Sequence, residues 1–164
     1  QQCEKLYTKA IELANLTGNE VVLDAYCGIG TIGMIASKKA KEVLCVELNR
    51  QAVKDSIENA KSNGIKNVRF VCDDAGKFMV KMAEKNEQAD VVFMDPPRSG
   101  SDKNFILSVA KLKPKRVVYI SCNPETLERD LKMFEKNGYK MMEVCPFDMF
   151  PFTESIEAVC LLTR

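Results

Sequence analysis

A glycine-rich turn constrains this chain more than any other feature. Val21-Val22-Leu23 is a short apolar run, and Gly28-Ile29-Gly30-Thr31-Ile32-Gly33 follows within a few residues. A strand that runs into GxGxxG and then into helical sequence is the opening unit of a doubly wound α/β sheet, because glycine lets the backbone approach a ligand there. The rest of the chain keeps that rhythm. Glu42 to Leu48, Val68 to Cys72, Ala89 to Met94 and Arg116 to Ser121 read as strands. Helical patterns over Arg50 to Ser62, Ala75 to Lys85, Phe105 to Leu112 and Glu125 to Asn137 alternate with them; Asn63-Gly64 and Gly138 are stop signals. Ahead of the first strand, Gln1 to Ala14 carries Leu6, Ala10, Ile11, Leu13 and Ala14 on one helical stripe. Strands around Lys140 to Val144 and Ile156 to Leu162 have no long helix between them, so an antiparallel unit is expected at one edge of a mostly parallel sheet.

With 164 residues, 46% of them hydrophobic, the chain is sized for one core and one domain. Its longest apolar runs, Val117 to Ile120 and Ala158 to Leu162, are strand-sized, so neither a membrane span nor a signal peptide is expected. Seven cysteines form no CxxC pair, and Cys45, Cys72, Cys145 and Cys160 lie in strand-like stretches where a free thiol packs as a small hydrophobe; a reducing, cytoplasmic setting is expected. Histidine is absent. Acid-base work therefore falls to Asp, Glu, Lys, Tyr or Cys, and no metal is expected. A formal charge of +1 gives no overall attraction to polyanions.

Glu47 ends the second strand, where a carboxylate can accept hydrogen bonds from ribose hydroxyls. That much suits NAD or S-adenosylmethionine. Asp24, just before the glycines, separates the two: it would repel a pyrophosphate and favour the sulfonium and ammonium of S-adenosylmethionine.

Three further motifs occur in order: Asp95-Pro96-Pro97-Arg98-Ser99-Gly100, Ser121-Cys122-Asn123-Pro124-Glu125-Thr126-Leu127 and Phe150-Pro151-Phe152-Thr153-Glu154-Ser155-Ile156-Glu157. Together they resemble the RNA (uracil-5-)-methyltransferases, which make 5-methyluridine in ribosomal and transfer RNA, and the resemblance covers essentially the whole chain. It implies a Rossmann-like S-adenosylmethionine-dependent methyltransferase fold with a seven-stranded, mostly parallel sheet, helices on both faces and an antiparallel edge strand. Residues 1–164 would be the catalytic domain of a longer protein whose RNA-binding and middle domains lie upstream. RNA, ribosomal ahead of transfer, would be the substrate, gripped mainly by those upstream domains.

The same resemblance assigns cofactor contact to Tyr26, Gly28, Gly30, Thr31, Glu47, Asp74 and Asp95, with Cys122 as nucleophile and Glu157 as base. The chemistry asks for such a pair. Carbon 5 of uracil is a poor nucleophile until a thiolate adds at carbon 6, and a base must then remove the carbon 5 proton. Asp74 also has the alternative of capping the next helix, and both roles can coexist. Arg98 and Arg129 either hold a phosphate or the uracil carbonyls, or pair with surface carboxylates. Phe147, Phe150 and Phe152 either stack on a flipped base or close the core edge. Phe152 and Ser155 stand where relatives often carry histidines, and Gln1-Gln2 do not match the Phe-Gln motif that relatives have upstream of the first helix. Two other readings remain at this point: an amino-methyltransferase using Asp95-Pro96-Pro97, although Arg98 replaces that motif's aromatic residue, and a non-catalytic S-adenosylmethionine-binding module.

Overall fold

Alternating short strands and amphipathic helices wind this chain into a seven-stranded sheet, seen in a computed structural model that describes residues 2–149, 151–153 and 155–164. The elements are α1 (Gln2–Ala14), β1 (Val21–Ala25), α2 (Thr31–Ala36), β2 (Glu42–Glu47), α3 (Arg50–Ser62), β3 (Val68–Cys72) and α4 (Ala75–Glu84). They continue with β4 (Val91–Met94), α5 (Lys103–Leu112), β5 (Arg116–Ser121), α6 (Pro124–Lys136), β6 (Lys140–Phe147) and β7 (Glu157–Thr163). Strand order is β3-β2-β1-β4-β5-β7-β6. The first five strands are mutually parallel, β7 runs antiparallel to β5, and β6 runs antiparallel to β7. The doubly wound sheet and its antiparallel unit are as the sequence predicts. Within that unit β7 lies inside and β6 takes the outer position.

Period-two alternation explains how so small a chain covers both faces of the sheet. Leu23 and Ala25 of β1, with Val117 and Tyr119 of β5, join Phe105, Ile106 and Phe134 on one face. Val22, Val118 and Ile120 join Leu6 and Ala10 of α1 and Ile32 of α2 on the other. Burying each of the Val, Leu, Ile and Phe side chains among them stabilises the fold by about 1.5–3 kcal/mol. Since β1 has β2 on one side and β4 on the other, its carboxyl end is the topological switch point where open α/β sheets bind ligands.

Some boundaries move for identifiable reasons. Expected to start at Phe105, α5 begins two residues earlier because the Asp102 side chain accepts a hydrogen bond from the Phe105 N–H at 3.0 Å. β6 extends past Val144 through Pro146, which pairs with Ala158; on an outer strand the missing N–H faces no neighbour. Cys45 and Cys160 are buried as expected, whereas Cys72 is exposed at the end of β3 and Cys145 is half-buried on β6, because both strands are sheet edges. Gln1 of the predicted first helix, the candidate stacking residue Phe150, and Glu154 lie outside the described residues. No helix among the described residues is long and apolar enough to cross a membrane.

Candidate active site

Strands β1 to β4 each present a carboxylate at or just beyond their carboxyl ends: Asp24, Glu47, Asp74 and Asp95. Asp24 is only 1% exposed, and its Oδ2 accepts the Gly33 N–H at 2.8 Å, while its Oδ1 is buried without a partner. Burial pushes the Asp24 carboxyl up to about 7 against that hydrogen bond, and the charges of Asp95 and Glu47 add to the effect. Glu47 accepts the Gly28 N–H at 3.0 Å and the Asn49 N–H at 2.7 Å, tying the glycine loop to the end of β2. Asp74 caps α4 through its Oδ1, which accepts the Lys77 N–H at 2.9 Å. Capping uses one carboxylate oxygen, and among the described residues the other has no hydrogen-bond partner. A surface cleft opens beside it between α4 and α5, over Gly76, Lys77, Lys81 and Asp102.

The loop itself is held in unusual backbone. Tyr26 has φ 64°, the left-handed region that non-glycine residues seldom occupy, and is fixed there by its hydroxyl 3.2 Å from that of Ser101 and its ring 5.3 Å from Phe105. At Gly30, with φ 80°, an added Cβ would lie 2.6 Å from the Phe70 ring. Thr31 is the first residue of α2 and lines a cleft toward α3 rather than the β1–β4 crevice.

On the other side of the crevice, β5 ends at Ser121, whose hydroxyl donates to the Asn123 carbonyl at 3.0 Å and accepts the Asn123 N–H. Asn123 caps α6 by accepting the Glu125 N–H, with Pro124 at the first helical position. Cys122 is thus a half-buried thiol between a strand end and a fixed cap. Ser121 pairs with Ala158 of β7, so Cys122 comes just after the last paired residue of β5 and Glu157, which pairs with Phe147 of β6, just before Ala158. Burial raises the Glu157 carboxyl while Arg98 opposes the rise. Asp95 is pushed up to about 6, by burial first and then by the charge of Glu157. These two carboxyls and Arg98 therefore share one electrostatic neighbourhood.

Sequence reasoning did not reach the brace behind this site. Asp130 is 1% exposed; its Oδ2 accepts the Ser101 N–H and the Tyr119 hydroxyl, each at 2.8 Å, and its Oδ1 takes two nitrogens of Arg129 at 2.8 and 2.9 Å. Arg129 also donates to the carbonyls of Ser99 and Ser101 at 3.0 and 3.1 Å. With the bonds from Asn123 and Thr126 to the Arg98 carbonyl, this network clamps the 95–101 loop onto α6. The available signal was an aspartate on the buried stripe Leu127-Asp130-Phe134 of an otherwise amphipathic helix. Arg129 does pair with a carboxylate, but with the buried Asp130 rather than one on the surface. Phe147 packs against the core edge, whereas Phe152 is fully exposed with φ 68°. Tyr7 of α1 was also missed: its phenol is raised by burial first, then by Cys3, and feels the charges of Asp95 and Asp24. Among the described residues no cluster of three or more His, Cys, Asp or Glu side chains is arranged to hold a metal ion.

Known proteins resemble this chain in sequence and fold. An uncharacterized RNA methyltransferase of Caldanaerobacter subterraneus subsp. tengcongensis is 50% identical over 163 residues, 99% of this chain and 36% of the relative. The chain thus spans about a third of the length of such curated relatives. The crystal structure of Pyrococcus abyssi tRNA (uracil-54, C5)-methyltransferase in complex with S-adenosyl-L-homocysteine superposes with a TM-score of 0.81 at 32% identity, over 97% of this chain and 37% of that one. A precorrin-6y C5,15-methyltransferase from Geobacter metallireducens, with a TM-score of 0.79 at 17% identity over 98% of this chain and 88% of that one, shares the fold. The family model described as tRNA (Uracil-5-)-methyltransferase matches residues 1–164, and the chain belongs to that family.

Proposed function

We propose that this chain is the catalytic domain of an RNA uracil-5-methyltransferase that uses S-adenosylmethionine, with Cys122 as nucleophile and Glu157 as base. The observation that supports the reading is the β5–β7 pairing: its last pair is Ser121–Ala158, so Cys122 follows one member and Glu157 precedes the other at the carboxyl end of β5.

The residues present fit the cofactor. The buried, unpartnered Asp24 Oδ1 and the mutual repulsion of Asp24, Glu47 and Asp95 favour a cationic ligand, and the Gly30 cradle has no room for a side chain. Glu47 would take the ribose hydroxyls, the free oxygen of Asp74 the adenine amine, and Asp95 the methionine end, with Tyr26, Gly28 and Thr31 shaping the loop. When bound, S-adenosylmethionine supplies an electrophilic methyl group.

Cys122 as thiolate adds to carbon 6 of uracil, forming a carbon–sulfur bond and moving the ring electrons onto an enolate whose carbon 5 is nucleophilic. Once carbon 5 carries the methyl group, Glu157 takes its proton. The electron pair left behind re-forms the ring double bond and expels the Cys122 thiolate. Burial raises the Glu157 carboxyl, which strengthens it as a proton acceptor.

RNA containing 5-fluorouracil tests this, since fluorine at carbon 5 cannot leave as a proton and traps the adduct. The full-length protein should form a denaturation-resistant adduct that Cys122→Ala abolishes. Methylation of an exocyclic amine that survives Cys122→Ala would instead establish the amino-methyltransferase. Substrate choice between ribosomal and transfer RNA is read by mass spectrometry of both from cells lacking the protein. Binding of S-adenosylmethionine without turnover on either RNA would favour the non-catalytic module.

A further inference from the structure

Charge is distributed unevenly along this nearly neutral chain. Residues 38–69 carry eight Lys and Arg against four Asp and Glu, while the remainder carries sixteen against nineteen. In that segment Arg69 is held by Glu42, and the other seven cations have no ion-pair partner among the described residues. Outside it, seven of the sixteen are paired.

The fold places these cations along α3 and in the two loops that lead into the amino ends of β2 and β3. Arg50, Lys54 and Lys61 recur at helical spacing along α3, so with the exposed Ile57 they form a single outward line. Lys54 stands about 6 Å beyond Arg50 along the axis, and Lys61 about 10 Å further. The Asn67 side chain donates to the carbonyls of Ser37 and Ala40 at 2.9 and 3.1 Å, which ties the loop bearing Lys66 to the loop bearing Lys38, Lys39 and Lys41. Between α2 and α3 lies a cleft whose lining includes the apolar Ile29, Met34, Ile35 and Ile65 together with Lys38 and Asn59. Its upper end is the glycine loop of the candidate site.

We propose that this α2–α3 face docks the phosphate backbone of a single-stranded stretch of the RNA substrate, leaving the cleft for an unstacked base or sugar. The proposal rests on the RNA methyltransferase reading above. Unpaired lysines on a rigid helix neutralise phosphates without reading sequence, and each contact releases counterions. An apolar cleft beside them suits the aromatic face of a nucleotide.

The full-length protein carrying Lys38→Gln, Lys54→Gln, Lys61→Gln and Lys66→Gln tests this, with the four Lys→Arg changes as the charge-retaining variant. Lys103→Gln, Lys111→Gln and Lys136→Gln serve as a control away from the face. Binding of fluorescein-labelled oligouridylate is followed by anisotropy across a salt series. The Gln variant should bind more weakly, and its slope of log affinity against log salt should shrink by about 0.7 per lost phosphate contact. The Arg variant and the control should keep the parent slope, and the control should keep the parent's turnover at saturating RNA. A Gln variant with the parent's affinity and slope overturns the proposal, as does a control that loses as much. Methyl transfer to carbon 5 is scored separately. A parent that binds through this face but methylates no uridine upholds the surface and removes the function proposed above.

Discussion

Replacing Asp130 by alanine removes the acceptor for three partners at once, and the partners differ in what they can do next. Arg129 is half-exposed, so its guanidinium turns to water. The Ser101 N–H and the Tyr119 hydroxyl cannot, since those residues are 6% and 0% exposed. Two buried donors stranded at about 1–3 kcal/mol each give a loss near 4 kcal/mol. For a domain of this size, that corresponds to a fall in Tm of roughly 10 °C. Tyr119→Phe leaves the carboxylate with its other partners and strands nothing, so it should cost about 1 kcal/mol. Urea denaturation followed by circular dichroism compares the two. An Asp130→Ala cost below that of Tyr119→Phe, at an unchanged dependence on urea, would refute the idea that Asp130 organises the 95–101 loop.

Gly100→Ala meets the same clamp from the other side: at φ 74°, a Cβ would lie 2.5 Å from Arg129 Nη2 and 2.7 Å from Asp130 Oδ2. It should destabilise the chain by about 1–3 kcal/mol in the same urea assay. Gly30→Ala should weaken S-adenosylmethionine binding at least tenfold by calorimetry while folding is retained, because the Phe70 ring must move away from the loop. Asp24 makes stability depend on pH with a definite sign. Its carboxyl titrates at about 7 in the fold against the ordinary aspartate value of 3.8, so the unfolded chain loses the proton first and stability falls as pH rises from about 4 to about 7, then levels. Asp24→Asn keeps the acceptor for the Gly33 N–H and should flatten that part of the profile; a parent and variant with parallel profiles would remove Asp24 as its source.

The strands and helices were legible because each carries its own period. Val68–Cys72 and Arg116–Ser121 fall where apolar residues put them, and the Gly28–Gly33 loop follows its strand as the motif requires. Asp24, Glu47, Asp74 and Asp95 could be read as a set because parallel strands deliver their carboxyl ends to one edge. The order of the last strands was not readable: only tertiary pairing decides that β7 slips inside β6. Nor was the brace. Asp130, Tyr119 and Ser101 are distant in sequence and individually bland, and their meaning exists only once α6 lies over the 95–101 loop. Cys72 was misjudged because sequence shows an apolar strand but not that the strand is an edge.

The reversed direction of β7 has an evolutionary consequence. Because β7 meets the reactive edge with its first residue, the ladder from Ser121–Ala158 to Arg116–Thr163 fixes Glu157 from downstream. The residues between β6 and β7 are then free to lengthen, shorten or change identity without moving Glu157 relative to Cys122. Substitutions in that connection, histidines exchanged for Phe152 and Ser155 included, would therefore leave the pairing that positions Glu157 unchanged.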